Sequence, residues 1–327
     1  MVIPDSLGSV GELGALARLF PRLPKADAEL LGPGDDCAVL AAPDGRSVVT
    51  TDMMVHGPDF RLAWSTPHNL GWKAAASNLS DVAAMGAAPT ALLVAIAAPA
   101  DLPVATLEGI ADGLRDACAA LAPGCGVVGG DLSVSQTLTI AVTAFGDLQG
   151  RPPVLRSGAR PGDIVAVAGA LGLAGRGLAL LFAEAVDADG APEQSAVDEL
   201  WRREPDLLGA QLAPKPPLQA GIAAATAGAT AMLDVSDGLA IDARRLIRAS
   251  GVGFDLAADA LGDDPLAALE GGEDHALLAT FPAEATLPDG FRSIGRVVAG
   301  DALLVDGELW TRPSGWDPYV GWNGGRG

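Results

Sequence analysis

The residues best able to do chemistry in this sequence are carboxylates that recur beside glycine or threonine at the ends of short apolar runs. Gly34-Asp35-Asp36 precedes the run 37–40, and Thr50-Thr51-Asp52 closes Val48-Val49. Gly129-Gly130-Asp131 follows Val127-Val128, Asp234-Val235-Ser236-Asp237-Gly238 follows Met232-Leu233, and Gly271-Gly272-Glu273-Asp274 precedes a further apolar run. Any one of these is ordinary turn chemistry, because Asp and Gly are what hairpins and helix N-caps use. Five of them, each where an apolar strand is expected to meet a loop, point to a site, since α/β proteins gather ligands at strand ends. A sixth acid has helical geometry. Lys73, Ser77 and Asp81 are spaced i, i+4, i+8 and share one face with Asn78 beside it, while Trp72, Leu79, Val82 and Gly86 lie opposite. Lys73 and Asp81 are the only formal charges between Arg61 and Asp101. So bare a stretch favours a polar stripe lining a site over a solvated face.

Clustered carboxylates repel one another at neutral pH unless cations lie between them. An all-oxygen ligand set without His or Cys favours Mg²⁺ over zinc, and Mg²⁺ on scattered carboxylates completes its octahedron with water and phosphate oxygens. The residues therefore imply a site that handles polyphosphate with several Mg²⁺ ions. Other chemistries find no support. None of Lys25, Lys73 and Lys215 stands in a Walker loop, and His56, His68 and His275 form no HExxH or HRD pattern. No serine occupies GxSxG. The glycines at 169, 172, 175 and 177 follow an apolar run like a phosphate loop, but without GxGxxG spacing, and a plain strand–helix turn serves equally well.

These groups must be positioned by a chain of 327 residues, which predicts two domains. Apolar residues at 49% and charged ones at 19% exclude a disordered chain, and aromatics at 4% leave the core to Ala, Val and Leu. The net charge of −20 argues against nucleic acid and anionic membrane surfaces as partners. The acids are 30 Asp and only 11 Glu, the composition of caps, strand ends and hard-metal shells more than of solvated helices. Three cysteines without a CxxC, and the charge-free but weakly apolar runs 82–100 and 216–233, predict a soluble protein of the reducing cytoplasm. Strands are expected near 47–51, 90–97, 126–128 and 138–145, with helices near 67–86 and 104–121. A linker at 150–153 separates a first domain (1–150) from a second (151–327). The second is expected to hold strands near 163–168, 230–233, 275–281 and 292–298 and helices after 177 and near 220–229 and 239–250. The fold class is α/β or α+β.

The motifs GDDCA (34–38), TTD (50–52), NLSDVAAMGA (78–87), GGD (129–131), RSGARPGD (156–163), DVSDGL (234–239) and GGED (271–274) together resemble the thiamine-monophosphate kinase family, within the superfamily typified by aminoimidazole ribonucleotide synthetase. The likeness runs from Gly11-Glu12 to near Trp316. It implies a two-domain α/β fold in which the N-terminal domains of two chains pair into a shared β-barrel, making a homodimer. It implies ATP in the cleft between domains and Mg²⁺-dependent transfer of its γ-phosphoryl group to thiamine monophosphate. Carried over by motif, the metal ligands are Asp36, Thr50, Thr51, Asp52, Asp81, Asp131, Asp234 and Asp237, of which Asp52, Asp131 and Asp237 are the catalytic choices. Gly130, Asp131, Arg156 and Ser236 contact the nucleotide. Asp59, Glu273 and Trp316 fall at the acceptor end.

The chemistry suits such a transfer. A phosphate monoester is already largely anionic at pH 7, with a second pKa near ~6, so no general base is needed. Metal ions and Arg156 offset the repulsion of anion by anion, and direct in-line transfer follows without a phospho-enzyme. Trp316 is placed to stack on the cationic thiazolium, or else to plug the core. Two departures from the family pattern fall near the acceptor. Asp59-Phe60 stands where His-Phe is usual, with His56 three residues earlier, and the loop 169–177 lacks the usual serine. A sister ATP-dependent enzyme of the superfamily and an inactive Mg²⁺–nucleotide-binding dimer are the competing readings.

Overall fold

The structure is a computed structural model and describes residues 5–31, 39–187, 191–312 and 315, with the backbone alone at 11–13 and 39. In chain order the first half contains α1 (Leu7–Leu19), β1 (Glu29–Leu31), β2 (Val39–Leu40), β3 (Val48–Val55), α2 (Pro67–Ala84), β4 (Ala88–Ala98), α3 (Val104–Leu121), β5 (Gly126–Val134) and β6 (Thr139–Asp147). The second half contains β7 (Ile164–Ala168), α4 (Leu173–Glu184), α5 (Gln194–Arg203), α6 (Pro205–Leu212), α7 (Leu218–Thr226), β8 (Ala231–Val235), α8 (Leu239–Ser250), β9 (Gly253–Leu256), α9 (Pro265–Glu270), β10 (Ala276–Phe281), β11 (Phe291–Val298), β12 (Leu303–Val305) and β13 (Glu308–Leu309). No described helix is long and apolar enough to cross a membrane.

Among the described residues β1 and β2 pair alone, and the other strands form two sheets. Four strands run in the order β3-β6-β4-β5, with β4 and β5 parallel and joined through α3. Seven run in the order β13-β12-β9-β11-β7-β10-β8, antiparallel except for β9 and β12. The large sheet is covered on both faces. Ala166, Ala168, Met232, Leu277, Ala279 and Phe281 enter the core that also holds Leu79, Val82 and Ala83 of α2 and Leu92, Val94 and Ile140 of the small sheet. The alternate residues Val165, Val167, Leu233, Val235 and Leu278 pack with Leu239, Ala243 and Leu246 of α8. This burial on two sides is why β7, β8 and β10 read as unbroken apolar runs.

Helix α2 begins where Thr66 accepts the Asn69 N–H through its hydroxyl at 3.1 Å and Pro67 stands at the first helical position. It crosses α3 at very short range. A Cβ on Gly71 would fall 1.9 Å from the Ile110 carbonyl oxygen, and one on Gly113 would fall 2.0 Å from that of His68, so only glycine fits at either. One side of α2 then meets β3 and β6 and the other meets α7, β8 and β10. The expected helices at 67–86 and 104–121 are present. Two expectations change: β3 runs on through Thr50-Thr51-Asp52, and β5 runs on through Gly129-Gly130-Asp131. These motifs lie inside strands instead of at strand ends, because the ladder with β4 and β6 continues past them.

Candidate active site

The polar stripe of α2 faces the junction between the two sheets. Lys73 is buried, and its ammonium meets the Glu273 carboxylate at 2.6 Å. With the buried Gln211 amide oriented so that its nitrogen donates to the Ala174 carbonyl, its oxygen accepts from the Lys73 ammonium at 3.2 Å. One turn on, Ser77 donates to the Lys73 carbonyl at 3.0 Å and faces Nε2 of His275 at 3.2 Å. Ser80, fully buried, donates to Asp234 at 3.3 Å. At the far end Asp81 accepts the Thr50 hydroxyl at 2.8 Å, and Asn78 accepts the Asp52 N–H at 3.1 Å. A single helix thus touches the TTD strand, the DVSDG strand and the GGED loop.

The carboxylates gathered here act on one another. Burial first, then the charges of Asp234 and Asp52, push Asp81 up to about 7. Asp52 is also raised, by burial and then by Asp234, Glu273 and Asp237, with His275 partly opposing. Glu273 is held below its ordinary range, since Lys73 and His275 outweigh the effect of its burial. Burial lowers the His275 pKa, but its hydrogen bond with Asp234 and the charges of Glu273 and Asp234 outweigh this and leave it raised. The geometry agrees. The Ser77 hydroxyl, spent on the Lys73 carbonyl, offers a lone pair at Nε2 and the Asp234 carboxylate offers one at Nδ1, an environment that suits the charged ring.

The loop before β10 holds this arrangement under strain. Glu273 at φ 70° and His275 at φ 53° are both left-handed non-glycine residues, costing on the order of 1–3 kcal/mol each. Asp274 between them points away, and its carboxylate accepts the N–H groups of Gly172 at 2.5 Å and Ala174 at 2.8 Å. That carboxylate fills the N-terminus of α4, so the anion seated by the glycine run at 169–177 is a side chain of the protein itself. At the start of α8 the buried Asp242 reaches back to the preceding turn, accepting the N–H groups of Asp237 and Gly238 at 3.0 and 3.2 Å. Burial pushes Asp242 up to about 7 against the pull of Arg245, which bridges it to Asp237.

Beside Lys73 and Glu273 opens a cavity of about 550 Å³, walled by Asp59, Phe60, Arg61 and Trp64 from the segment after β3, by Arg176, Leu178 and Phe182 of α4, and by Glu270. Arg61 is buried with its guanidinium 4.4 Å from the centre of the Trp64 ring and 4.7 Å from that of Phe182. Asp59 closes its own turn by accepting the Val55 N–H at 2.7 Å, and burial raises it above the ordinary carboxylate range. His56 leans on Phe60, ring centres 5.5 Å apart, and burial followed by the charge of Arg61 lowers its pKa.

Of the residues expected from the sequence, the structure therefore brings Thr50, Asp52, Asp81, Asp234, Asp237 and Glu273 together, with Asp59 on the adjoining cavity. Ser236 joins them through its carbonyl, which accepts the Glu273 N–H. Thr51 turns to the other face of β3, bonding Val142 and Thr143. Asp131 is exposed on β5 in register with exposed Ala95, Gly130 lies beside it, and Arg156 is exposed after the linker. Asp36, Cys37 and Trp316 lie outside the described residues. Sequence reasoning set His275 aside, gave no role to Ser80 or Asp274 although both stand inside motifs it singled out, and missed Asp242, Arg245 and Arg61. The partners of Ser80, Asp274 and His275 are distant in the chain, whereas Asp242 and Arg245 pair locally and carried no motif to mark them.

No three described acidic or histidine side chains converge tightly enough to cage a metal unaided. The donor set still fits a hard divalent cation. It is all oxygen, its members disfavour one another's charge, and Mg²⁺ needs only one or two carboxylates with water and phosphate.

Comparison with known proteins places this geometry. Residues 34–148 match the family described as AIR synthase related protein, N-terminal domain. Thiamine-monophosphate kinase of Mycobacterium tuberculosis is 44% identical over 96% of this chain and 93% of its own length. The chain belongs to the thiamine-monophosphate kinase family. Two solved structures of the family agree in fold. That from Stenotrophomonas maltophilia K279a superposes with a TM-score of 0.74 at 30% identity, over 90% of this chain and 97% of its own. AaThiL, complexed with AMPPCP and TMP, gives 0.71 at 32% identity over 94% and 97%. The thiamine-monophosphate kinase fold thus accounts for both sheets and for the motifs that meet between them.

Proposed function

We propose that this chain transfers the γ-phosphoryl group of ATP to thiamine monophosphate, forming thiamine diphosphate and ADP. The observation that carries the reading is the meeting of Asp52, Asp81, Asp234 and Asp237 beside a cavity bordered by Lys73, Glu273 and Asp59, in a chain 44% identical to a thiamine-monophosphate kinase along nearly its whole length.

In this reading Asp52, Asp81, Asp234 and Asp237 hold Mg²⁺, together with Asp36 and Thr50, while Thr51 and Asp131, on the opposite face of the small sheet, share no common cluster with them within one chain. Bound Mg²⁺ supplies the positive charge that lets two phosphates approach and stabilises the charge that builds on the transferring group. Gly130, Asp131, Arg156 and Ser236 hold the nucleotide. The cavity takes the acceptor, with Asp59 and Glu273 near its cationic ring and Phe60, Trp64 and Phe182 supplying apolar walls; Trp316 is assigned to the acceptor by the family motif alone. The acceptor oxygen is anionic at neutral pH, so the residues serve to align and to neutralise without removing a proton. Lys73, fixed by Glu273 and Gln211, is the buried cation best placed between the acid group and the cavity.

The outer face of the small sheet carries Val49 and Met53 at 54% and 62% exposure. Such an apolar surface supports pairing of two chains through residues 1–150, with 151–327 completing each site. Reduced cysteines and the absence of any described spanning helix are consistent with work in the cytoplasm. The decisive experiment incubates purified protein with ATP, Mg²⁺ and thiamine monophosphate and measures thiamine diphosphate and ADP. Equal yields of both support the reading. ADP release without thiamine diphosphate, or neither product, removes it.

A further inference from the structure

Resting on the reading of Asp234 as a metal ligand, we infer that His275 is a positioning residue, fixing the Asp234 carboxylate and joining it to α2 so that the metal–nucleotide complex meets a preset oxygen. Three observations converge on this role. The imidazole is buried at 4% exposure and bridges elements from opposite halves of the chain, Nδ1 lying 3.3 Å from Asp234 on β8 and Nε2 lying 3.2 Å from Ser77 on α2. Its backbone is fixed independently, since its N–H donates to the Val235 carbonyl at 3.0 Å and its φ is 53°. Its carbonyl lies 3.5 Å from the Ser80 hydroxyl, which also donates to Asp234.

Asp234 is consequently held on one oxygen, Oδ2, by both Ser80 and His275, its hydrogen-bond partners among the described residues. Its other oxygen, Oδ1, remains for a cation. A carboxylate held on one oxygen cannot rotate away, and outer partners of this kind orient metal ligands and account for roughly 10–100-fold in metal affinity. Burial and backbone strain at a residue outside the ligand set are what such a role requires. A residue that merely filled space between the sheets would need neither hydrogen bond.

The two ring nitrogens can be tested separately, because an Asn amide nitrogen stands near the position of Nδ1 and a Gln amide nitrogen near that of Nε2. Titration calorimetry with Mg²⁺ and AMPPCP would be run on the full-length wild type, His275→Asn, His275→Gln and Asp234→Asn, with thermal melting of each. The expected result is weakening of about tenfold or more in His275→Gln, a comparable or larger loss in Asp234→Asn, and affinity within about threefold of wild type in His275→Asn. Melting temperatures of the two His275 variants should match, so stability cannot explain the difference. Equal affinities in His275→Asn and His275→Gln overturn the positioning role. Failure of the wild type to bind Mg²⁺–AMPPCP, or an unchanged Asp234→Asn, overturns the metal-ligand reading instead and the positioning role with it.

Discussion

Replacing Asp81 with Asn should stabilise the metal-free protein while removing its response to Mg²⁺. Asp81 is raised from 3.8 to about 7 by burial and by the charges of Asp234 and Asp52, so the folded chain works against its ionised form. The sign follows directly. Stability from this group is complete below pH 3.8, declines as the pH rises, and is lost above about 7. A difference of that size amounts to at most about 4 kcal/mol at 1.36 kcal/mol per pH unit. Because the strain is shared with Asp52 and Asp234, half of it is a fair lower figure. With an unfolding entropy of about 2.1 cal/mol/K per residue, the range is about 3–6 °C for a chain of 327 residues. The amide introduced by Asp81→Asn keeps a carbonyl that can accept the Thr50 hydroxyl, so the loss of charge is nearly the whole change. The assay is thermal unfolding at pH 5 and pH 8, with chelator or with Mg²⁺ and AMPPCP. Wild type should gain stability on moving from pH 8 to pH 5 in chelator, and on adding Mg²⁺–AMPPCP at pH 8. Asp81→Asn should melt a few degrees above wild type in chelator at pH 8 and gain little from the ligand. A variant that melts at or below wild type at pH 8, and still gains as much from Mg²⁺–AMPPCP, would refute the idea that these carboxylates await a cation.

Lys73→Met should lower kcat/KM by about 100-fold or more, because it strands Glu273 and removes the buried cation; steady-state kinetics with thiamine monophosphate checks it. Asp274→Asn should cost about 1–2 kcal/mol in urea unfolding, since an amide oxygen replaces the carboxylate that caps α4. On the proposed pairing of two chains through the small sheet, Met53→Glu, at an exposed position, should favour the monomer in light scattering and lower activity in parallel.

The candidate site was legible where chemistry and local periodicity coincide. Lys73, Ser77 and Asp81 share a helix face by spacing alone, and the structure finds all three engaged. Asp52 and Asp131 were recognised as meaningful but placed at strand ends, because Asp and Gly ordinarily break strands and their pairing with β6 and β4 is invisible along the chain. His275 was passed over because its partners are 41 and 198 residues away. The glycine run at 169–177 looked like a phosphate loop for a sound reason, since its helix end does bind an anion. That anion is Asp274, from 100 residues downstream. The Arg61–Trp64–Phe182 stack likewise joins segments that no local pattern connects.

The placement of α2 also constrains how the molecule can breathe. Leu79, Val82 and Ala83 of this helix share a continuous interior with Leu277 and Ala279 of β10, and above that interior Ser80, Ser77 and Lys73 are stitched in turn to Asp234, His275 and Glu273. Parting the halves like a clamshell would wet this seam and break all three stitches together. The flank offers a route that leaves the stitches intact, where the segment 57–65 faces α4 and the residues after α9 across open space. An acceptor could then come and go by this side opening while the spine stays shut.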